Sequence, residues 1–494
     1  MATLFETKKV FFIILFLTHA TVFVLMDPDY YLHLMAGKYI VEHNMLPHVD
    51  VFSYTMAGQP WNMHEWLFEI LLYCIYSLAG ENGIVLFTSG LGVLAFYVAF
   101  NAGIINGKKN YLSIVVVLLL FGFYSIFIQP RPQIITFLCY AIFLFVIFDY
   151  KYRDTLRFAI ILPVLMLVWV NSHGAYIFGI AFLCLFIACE YLRRWMGSDK
   201  KCFDNKLHRL TLIIAVTILA SAINPYFIKQ WISPFLLMNK DAMSVISEWR
   251  SPDFADFYYR AYLFSILVFV VHYIYLKKRP DLTELVLPGS LIFISFFAIR
   301  HIPLAILTIV PFALVTAKHG YEIKSLKLTN MGKWVKDRKK SGRDIGKKEY
   351  LMNGALLCIV VLSMIIIAPM LREKKLEKIN SFLPVKAVNF IVNNGISGRF
   401  FNTYHYGGYL IYRLYPQQRV FIDIRAEMYG DRFMRDYTSI YFGADGWEKI
   451  FDKYKFDYVI CENNAVIRKL LLCKGDFNLA YSDSSHSVLL RKLH

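Results

Sequence analysis

The sequence predicts a multi-pass, all-helical membrane domain of about eleven spans, followed by a small α/β domain at the C-terminus. Three observations carry this reading: an apolar composition, basic residues confined to alternate loops, and a change of pattern after Leu371. Of the 494 residues, 57% are hydrophobic and only 18% are charged, and the mean hydropathy is +0.47. A soluble chain could not bury that much apolar surface, because core size is limited by surface-to-volume scaling. The 42 Phe and 33 Tyr suit a lipid setting, where aromatic rings collect at the interfaces.

The first apolar run, Phe11 to Met26, follows Lys8 and Lys9. It lacks a convincing small-residue cleavage site and reads as a retained signal anchor. The stretch from Glu65 to Gly80 is short for a span, which needs roughly twenty residues, and is expected as a helix at the outer interface. Further spans are expected near 83–105, 111–128, 134–150, 157–171, 175–191, 209–224, 261–276, 285–300, 302–317 and 351–371. Segments 285–300 and 302–317 read as a hairpin about Arg300-His301, which keeps the basic loops on one side.

Those basic loops are Lys108/Lys109, Lys151/Arg153, the Arg193–Arg209 region, Lys277–Arg279 and residues 318–349. A cytoplasmic N-terminus puts all of them inside, as the positive-inside tendency requires. Residues 1–371 then form the membrane domain, with a first external loop at 27–64 and a cytoplasmic loop at 318–349. Residues 372–494 form an extracytoplasmic domain. The net charge of +17 is therefore a topology signal and lends no support to a nucleic-acid function. The 8 cysteines show no metal-type or disulfide spacing. Cys461 and Cys473 share the C-terminal segment, where they read as a strand and a helix residue rather than a disulfide pair.

After Leu371 the pattern alternates. Pro384–Asn394 reads as an amphipathic helix, Arg399–Thr403 as a strand and Arg419–Ile424 as a buried strand. Trp447–Tyr454 and Ala465–Cys473 read as helices; Tyr458–Cys461, Asn478–Ser482 and Ser487–Arg491 read as extended. Alternating strands and helices predict an α/β sandwich with a mostly parallel sheet.

The chemistry is expected at the outer span ends, which collect Asp27, Asp29, His33, His64, Glu65, Arg131, Asn171, His173, Asn224, Glu248, Arg250, Arg300 and His301. Any one of these could sit in interfacial water, but a set on one face points to a shared site. Pro28 halts the first helix, and Asp29 can cap a second beginning at Tyr30, with His33 one turn on. Asp27 and Asp29 could serve as a general base, or hold a hard divalent cation. Asp423 and Arg425 follow the RVFIDI segment, either as a turn with an internal ion pair or as binding groups.

Several segments carry a resemblance: DPDYYLHLMAGKYI, PHVDVFSYTMAGQPWNMHEWL, RPQ, WVNSHG, NPY and GGYLIYRLYPQQRVFIDIRAEMYGD. With the many spans and external C-terminal domain, these resemble a bacterial branch of the GT-C superfamily. Members of that superfamily are membrane-embedded glycosyltransferases that use polyprenyl-phosphate sugars. The resemblance implies a cytoplasmic-membrane location in a bacterium, a lipid-linked sugar donor, and a catalytic Asp in an acidic-x-x-x-Tyr pattern, matched here by Asp27 and Tyr31. Pro28 stands where many relatives have a second acid, and His64-Glu65-Trp66 replaces a Lys-Pro-Pro-like segment, so His64 and Glu65 join the catalytic candidates.

The residues agree with that implication. Nucleotide sugars are not expected outside the membrane, so an outward-facing transferase needs a donor delivered through lipid. A carboxylate would deprotonate an acceptor hydroxyl, which displaces phosphate at the anomeric carbon. Arg131, Arg300, His301 and His173 are candidates to stabilise that phosphate. His33, Asn171, Asp423 and Arg425 are candidates for acceptor binding or positioning. The competing readings are a flippase of lipid-linked saccharides and a non-catalytic scaffold. Ser89, Asn101 and Ser295 are the midspan polar residues a carrier could use.

Overall fold

The computed structural model describes residues 7–22, 27, 29–104, 119–196, 205–236, 247–317 and 344–492. Among these, five helices are long and apolar enough to cross a membrane: Trp66–Gly103, Gln133–Arg153, Tyr176–Met196, Phe257–Ile274 and Ile299–Thr316. Lys9–Val22, Ile161–Val170, Leu282–Ser295 and Leu351–Ile367 are shorter apolar helices. The expected 111–128 span lies partly outside the described residues, with 119–125 helical, and the 318–349 loop lies largely outside them.

Trp66–Gly103 is two helices joined at Gly80, whose φ of 59° and ψ of −153° break the helical path. Glycine reaches that conformation without a Cβ clash, so the 65–80 segment runs separately from the one after it, as its length implied. The Gln133–Arg153 helix packs against Trp66–Gly103, Ile161–Val170, Tyr176–Met196 and Ile302–Thr316, and 78% of its apolar stretch is buried. A 3-10 turn at Ile299–His301 separates Leu282–Ser295 from Ile302–Thr316, so these are two elements.

The first-loop helix, Asp29–His43, lies against the start of Trp66–Gly103. Gly37 makes the approach: a Cβ there would collide with the backbone carbonyl of Glu69. Only a residue without a side chain lets these helices touch at this point, and the contact sets His33 beside Glu65 and Glu69.

The chain leaves the membrane domain through the long helix Asp344–Phe382 and the short helix Val385–Asn393. Four strands follow: β1 (Phe400–Asn402), β2 (Tyr458–Glu462), β3 (Phe477–Ser482) and β4 (His486–Arg491), in the order β1-β2-β4-β3. Only β1 and β2 are parallel; β4 is antiparallel to both of its neighbours. This corrects the expected mostly parallel sheet. The three residues between β3 and β4, Asp483 to Ser485, are enough for a hairpin but not for a crossover. Helices Ala426–Phe442, Trp447–Tyr454 and Val466–Lys474 cover the sheet through a cluster that includes Phe401, Tyr437, Phe451 and Leu489. Cys461 and Cys473 are both free thiols, one buried and one exposed.

A second correction concerns Arg419–Ile424. Val420, Phe421 and Ile422 are fully buried, as the apolar pattern required, but the segment is not a strand of the sheet. Its backbone pairs with the first loop: Val420 N donates to Phe52 O at 3.1 Å, and Tyr54 N donates to Val420 O at 3.1 Å. Thr55 Oγ1 adds a bond to Phe421 O at 2.6 Å. An apolar run specifies burial, not the partner that buries it.

Candidate functional site

A cavity of about 230 Å³ opens where the first loop, the Gln129–Gln133 turn, the 171–175 turn and the Ala426–Phe442 helix meet. Asp29, His33, His64 and Glu65 line it from the first loop, Arg131, His173 and Arg300 from the other turns, and Arg425 and Glu427 from the C-terminal segment. The structure brings these groups together around one cavity. Asp27, Asn171, His301 and Asp423 are not on the cavity wall.

Arg131 organises the acidic end. Its guanidinium pairs with Asp27 through Nε and Nη2, meets Asp29 Oδ2 at 2.9 Å, and donates to Glu248 Oε1 at 2.7 Å. Asp29 N in turn donates to Asp27 Oδ1 at 3.0 Å. The arginine expected at the donor phosphate is therefore engaged by carboxylates, and it already stands where a cation between Asp27 and Asp29 was expected. Burial raises the Asp29 carboxyl from its usual 3.8 and Arg131 partly offsets that, leaving it at about 7.

Arg300 is differently placed. Its guanidinium stacks over Trp249 at 4.3 Å, and among the described residues it forms no ion pair with a carboxylate. An arginine on a cavity wall, held by an aromatic face and with its donors uncommitted, suits an anion. The adjacent His301 turns away: Nδ1 meets Ile294 O at 3.3 Å and the ring packs on Phe178 at 4.8 Å.

Glu65 sits among three imidazoles, with His64 Nε2 at 3.6 Å, His33 Nδ1 at 3.8 Å and His173 Nε2 at 3.8 Å. Burial opposes its charge, but His64 and the other two rings pull its carboxyl down to about 2. His64 is raised to about 9, burial being outweighed by Glu65. His173 behaves oppositely, because burial dominates and lowers it to about 3. Trp169 Nε1 donates to Thr136 Oγ1 at 2.7 Å, and the same hydroxyl meets His173 Nδ1, also at 2.7 Å. That contact turns Nε2 toward Glu65. Asn171 is a brace: it accepts from Trp66 Nε1 at 3.0 Å and donates to Leu167 O and Ile223 O.

Arg425 joins the C-terminal segment to the first loop. Nη2 lies 2.6 Å from Asp423 and 2.7 Å from Asp50, and the guanidinium stacks on Trp61 at 4.4 Å. Of the two roles weighed for Asp423 and Arg425, the ion-paired turn is what the geometry contains, and Arg425 also reaches the cavity.

The sequence matches no protein-family model, and no curated protein sequence matches it. Solved structures do match. The oligosaccharyltransferase AglB of Archaeoglobus fulgidus, in complex with an inhibitory peptide and a dolichol-phosphate, superposes with a TM-score of 0.57 at 11% identity, over 92% of this chain and 70% of that one. The same enzyme tethered to an acceptor peptide gives 0.56 at 12%, over 93% and 70%. ArnT of Cupriavidus metallidurans, bound to undecaprenyl phosphate, gives 0.51 at 12%, over 97% and 96%. The chain has the GT-C fold.

Reasoning from sequence passed over Glu69 and Glu427 as site residues. Glu69 lies one helical turn after Glu65 and shares its face, a spacing that could have been noticed. It is 3% exposed and bonds His33 Nδ1 at 3.2 Å. Glu427 reaches the cavity from the far end of the sequence, and no local pattern links it to the first loop.

Proposed function

We propose that this chain is a membrane glycosyltransferase that moves a sugar from a polyprenyl-phosphate donor to an acceptor hydroxyl at the extracytoplasmic face. The observation that carries the proposal is that Asp29, a carboxyl poised near neutrality, and Arg300, an arginine without a carboxylate partner among the described residues, line one cavity. In this scheme Asp29 accepts the acceptor's hydroxyl proton. The freed oxygen bonds to the anomeric carbon as that carbon's bond to the phosphate oxygen breaks. The polyprenyl phosphate leaves with the electron pair, and Arg300 stabilises the charge it gains. Asp27 acts by holding Arg131, and Arg425 and Glu427 face the acceptor side. The neighbours' complexes with dolichol-phosphate and undecaprenyl phosphate support a lipid-phosphate ligand.

A flippase is disfavoured by the midspan residues. Ser89 bonds His19 Nδ1 at 2.8 Å, Ser295 bonds Tyr262 at 2.8 Å, and Asn101 donates to Tyr97 O at 2.8 Å. Each is used in helix packing, whereas carriers need polar groups free near the midplane. The test supplies purified protein with a polyprenyl-phosphate sugar and a panel of acceptors. Release of polyprenyl phosphate with a new glycosidic bond is the expected result. Transport of the donor across proteoliposomes without release overturns the proposal.

A further inference from the structure

The transfer scheme leaves one group in the cavity unused. Among the described residues, His33, Glu65 and Glu69 are the cluster with metal-type donors: one atom from each lies within 4.8 Å of the others. We infer that these three side chains bind one divalent transition-metal ion of the Zn²⁺ or Mn²⁺ type, pinning the first-loop helix to the helix that begins at Trp66.

Hydrogen bonding alone does not account for the cluster. Glu69 Oε1 meets His33 Nδ1 at 3.2 Å, but Glu69 Oε2 is buried with no hydrogen-bond partner. The three imidazole nitrogens around Glu65 stand at 3.6 to 3.8 Å, beyond hydrogen-bonding distance. Two carboxylates thus share a low-dielectric wall with one good hydrogen bond between them and the imidazoles. A buried carboxylate oxygen left unpaired, as Glu69 Oε2 is, is costly unless a cation completes it.

The donor chemistry narrows the ion. One imidazole and two carboxylates suit Zn²⁺ or Mn²⁺; Ca²⁺ needs six to eight oxygens, about twice what this set offers. Three protein ligands and an open fourth position on the cavity make the arrangement of an accessible site rather than a closed structural one. The backbone supplies the preorganisation. Glu65 and Glu69 are one helical turn apart on the same face, and the Gly37 contact holds His33 against them.

The claim concerns binding, and its use in catalysis rests on the transfer reading above. The test uses the purified full-length chain, stripped with chelator and titrated with Zn²⁺ and with Mn²⁺. One tight equivalent is expected, with ¹⁴N coupling from a histidine in the pulsed EPR spectrum of bound Mn²⁺. Glu69→Gln and His33→Gln should each weaken binding by at least about tenfold, in line with loss of a ligand. No tight equivalent in the wild-type protein, or a bound Mn²⁺ without nitrogen coupling, overturns the inference. Undiminished binding in both variants also overturns it. If a variant fails to fold, the wild-type stoichiometry and spectrum decide by themselves. Metal binding in a preparation without transferase activity would still establish the site, so the two readings fail separately.

Discussion

Arg131 lies 2.9 Å from Asp29 while it is also bound by Asp27 and Glu248. One guanidinium therefore holds three acids from two separate segments, and of Asp27 and Asp29 it is Asp29 that faces the cavity. Asp29→Asn should lower glycosyl transfer by about 10²–10⁴-fold, the usual loss on removing a general base. Thermal unfolding in detergent should change little, since Asp27 and Glu248 still hold the arginine. Near-normal transfer by this variant would remove Asp29 from the mechanism.

The same contact sets a pH dependence. Burial raises the Asp29 carboxyl, Arg131 restrains it, and the result is about 7. A base works when deprotonated, so kcat/KM should climb as pH rises through about 7. Arg131→Gln removes the restraint, so the carboxyl rises further and the limb moves to higher pH. A limb that stays in place or moves to lower pH contradicts this assignment.

Arg300 should govern donor use. With Trp249 beneath it and no carboxylate partner among the described residues, Arg300→Gln should raise KM for the lipid donor by roughly 10–100-fold, the scale of a lost charge-assisted bond. Lys should restore only part, because a point charge cannot reproduce a planar bidentate contact. Equal kinetics for the Lys and Gln variants would argue against a phosphate clamp.

Orientation is open to chemical labelling. Cys473 is exposed in the C-terminal segment, and Arg157 is exposed in the basic loop after Gln133–Arg153. In a background without other cysteines, a membrane-impermeant maleimide added to intact cells should modify Cys473. An Arg157→Cys variant should react only after the cells are opened. The reverse pattern would invert the topology and dissolve the extracytoplasmic site.

Arg425 should be a stability residue as well as a wall of the cavity. Its pairs with Asp50 and Asp423 are buried. Arg425→Leu leaves two buried carboxylates uncompensated and should cost about 3–5 kcal/mol. Asp50→Asn and Arg425→Leu together should cost less than the sum of the single losses, as expected for groups in one network. Additive losses in thermal unfolding would show that the two residues do not act together.

The legible features were those written within one segment. Gly80 separates two helices and Arg300-His301 lies at a break between two more, because local backbone preference and span length decide such points. The burial of Val420 to Ile422 was readable from their apolar run. The acidic first loop drew notice in the sequence because charged groups near membrane depth are costly, and the structure places Asp29 from it on the cavity wall.

By itself, then, the sequence determined the membrane class, most helix positions and the four C-terminal segments that form the sheet. Composition and periodicity act over tens of residues and need no knowledge of the fold. The tertiary structure alone decided which polar groups meet. It gave Arg131 to Asp27, Asp29 and Glu248 rather than leaving it open, and it set Arg300 on the cavity wall with no acid partner among the described residues. It paired the 420 segment with the first loop instead of the sheet, which brings Arg425 and Glu427 to a cavity more than 350 residues away in sequence from His64. Such contacts depend on how helices pack in three dimensions. A side chain's sequence neighbours specify its face and its burial, but not the distant residue that will stand opposite.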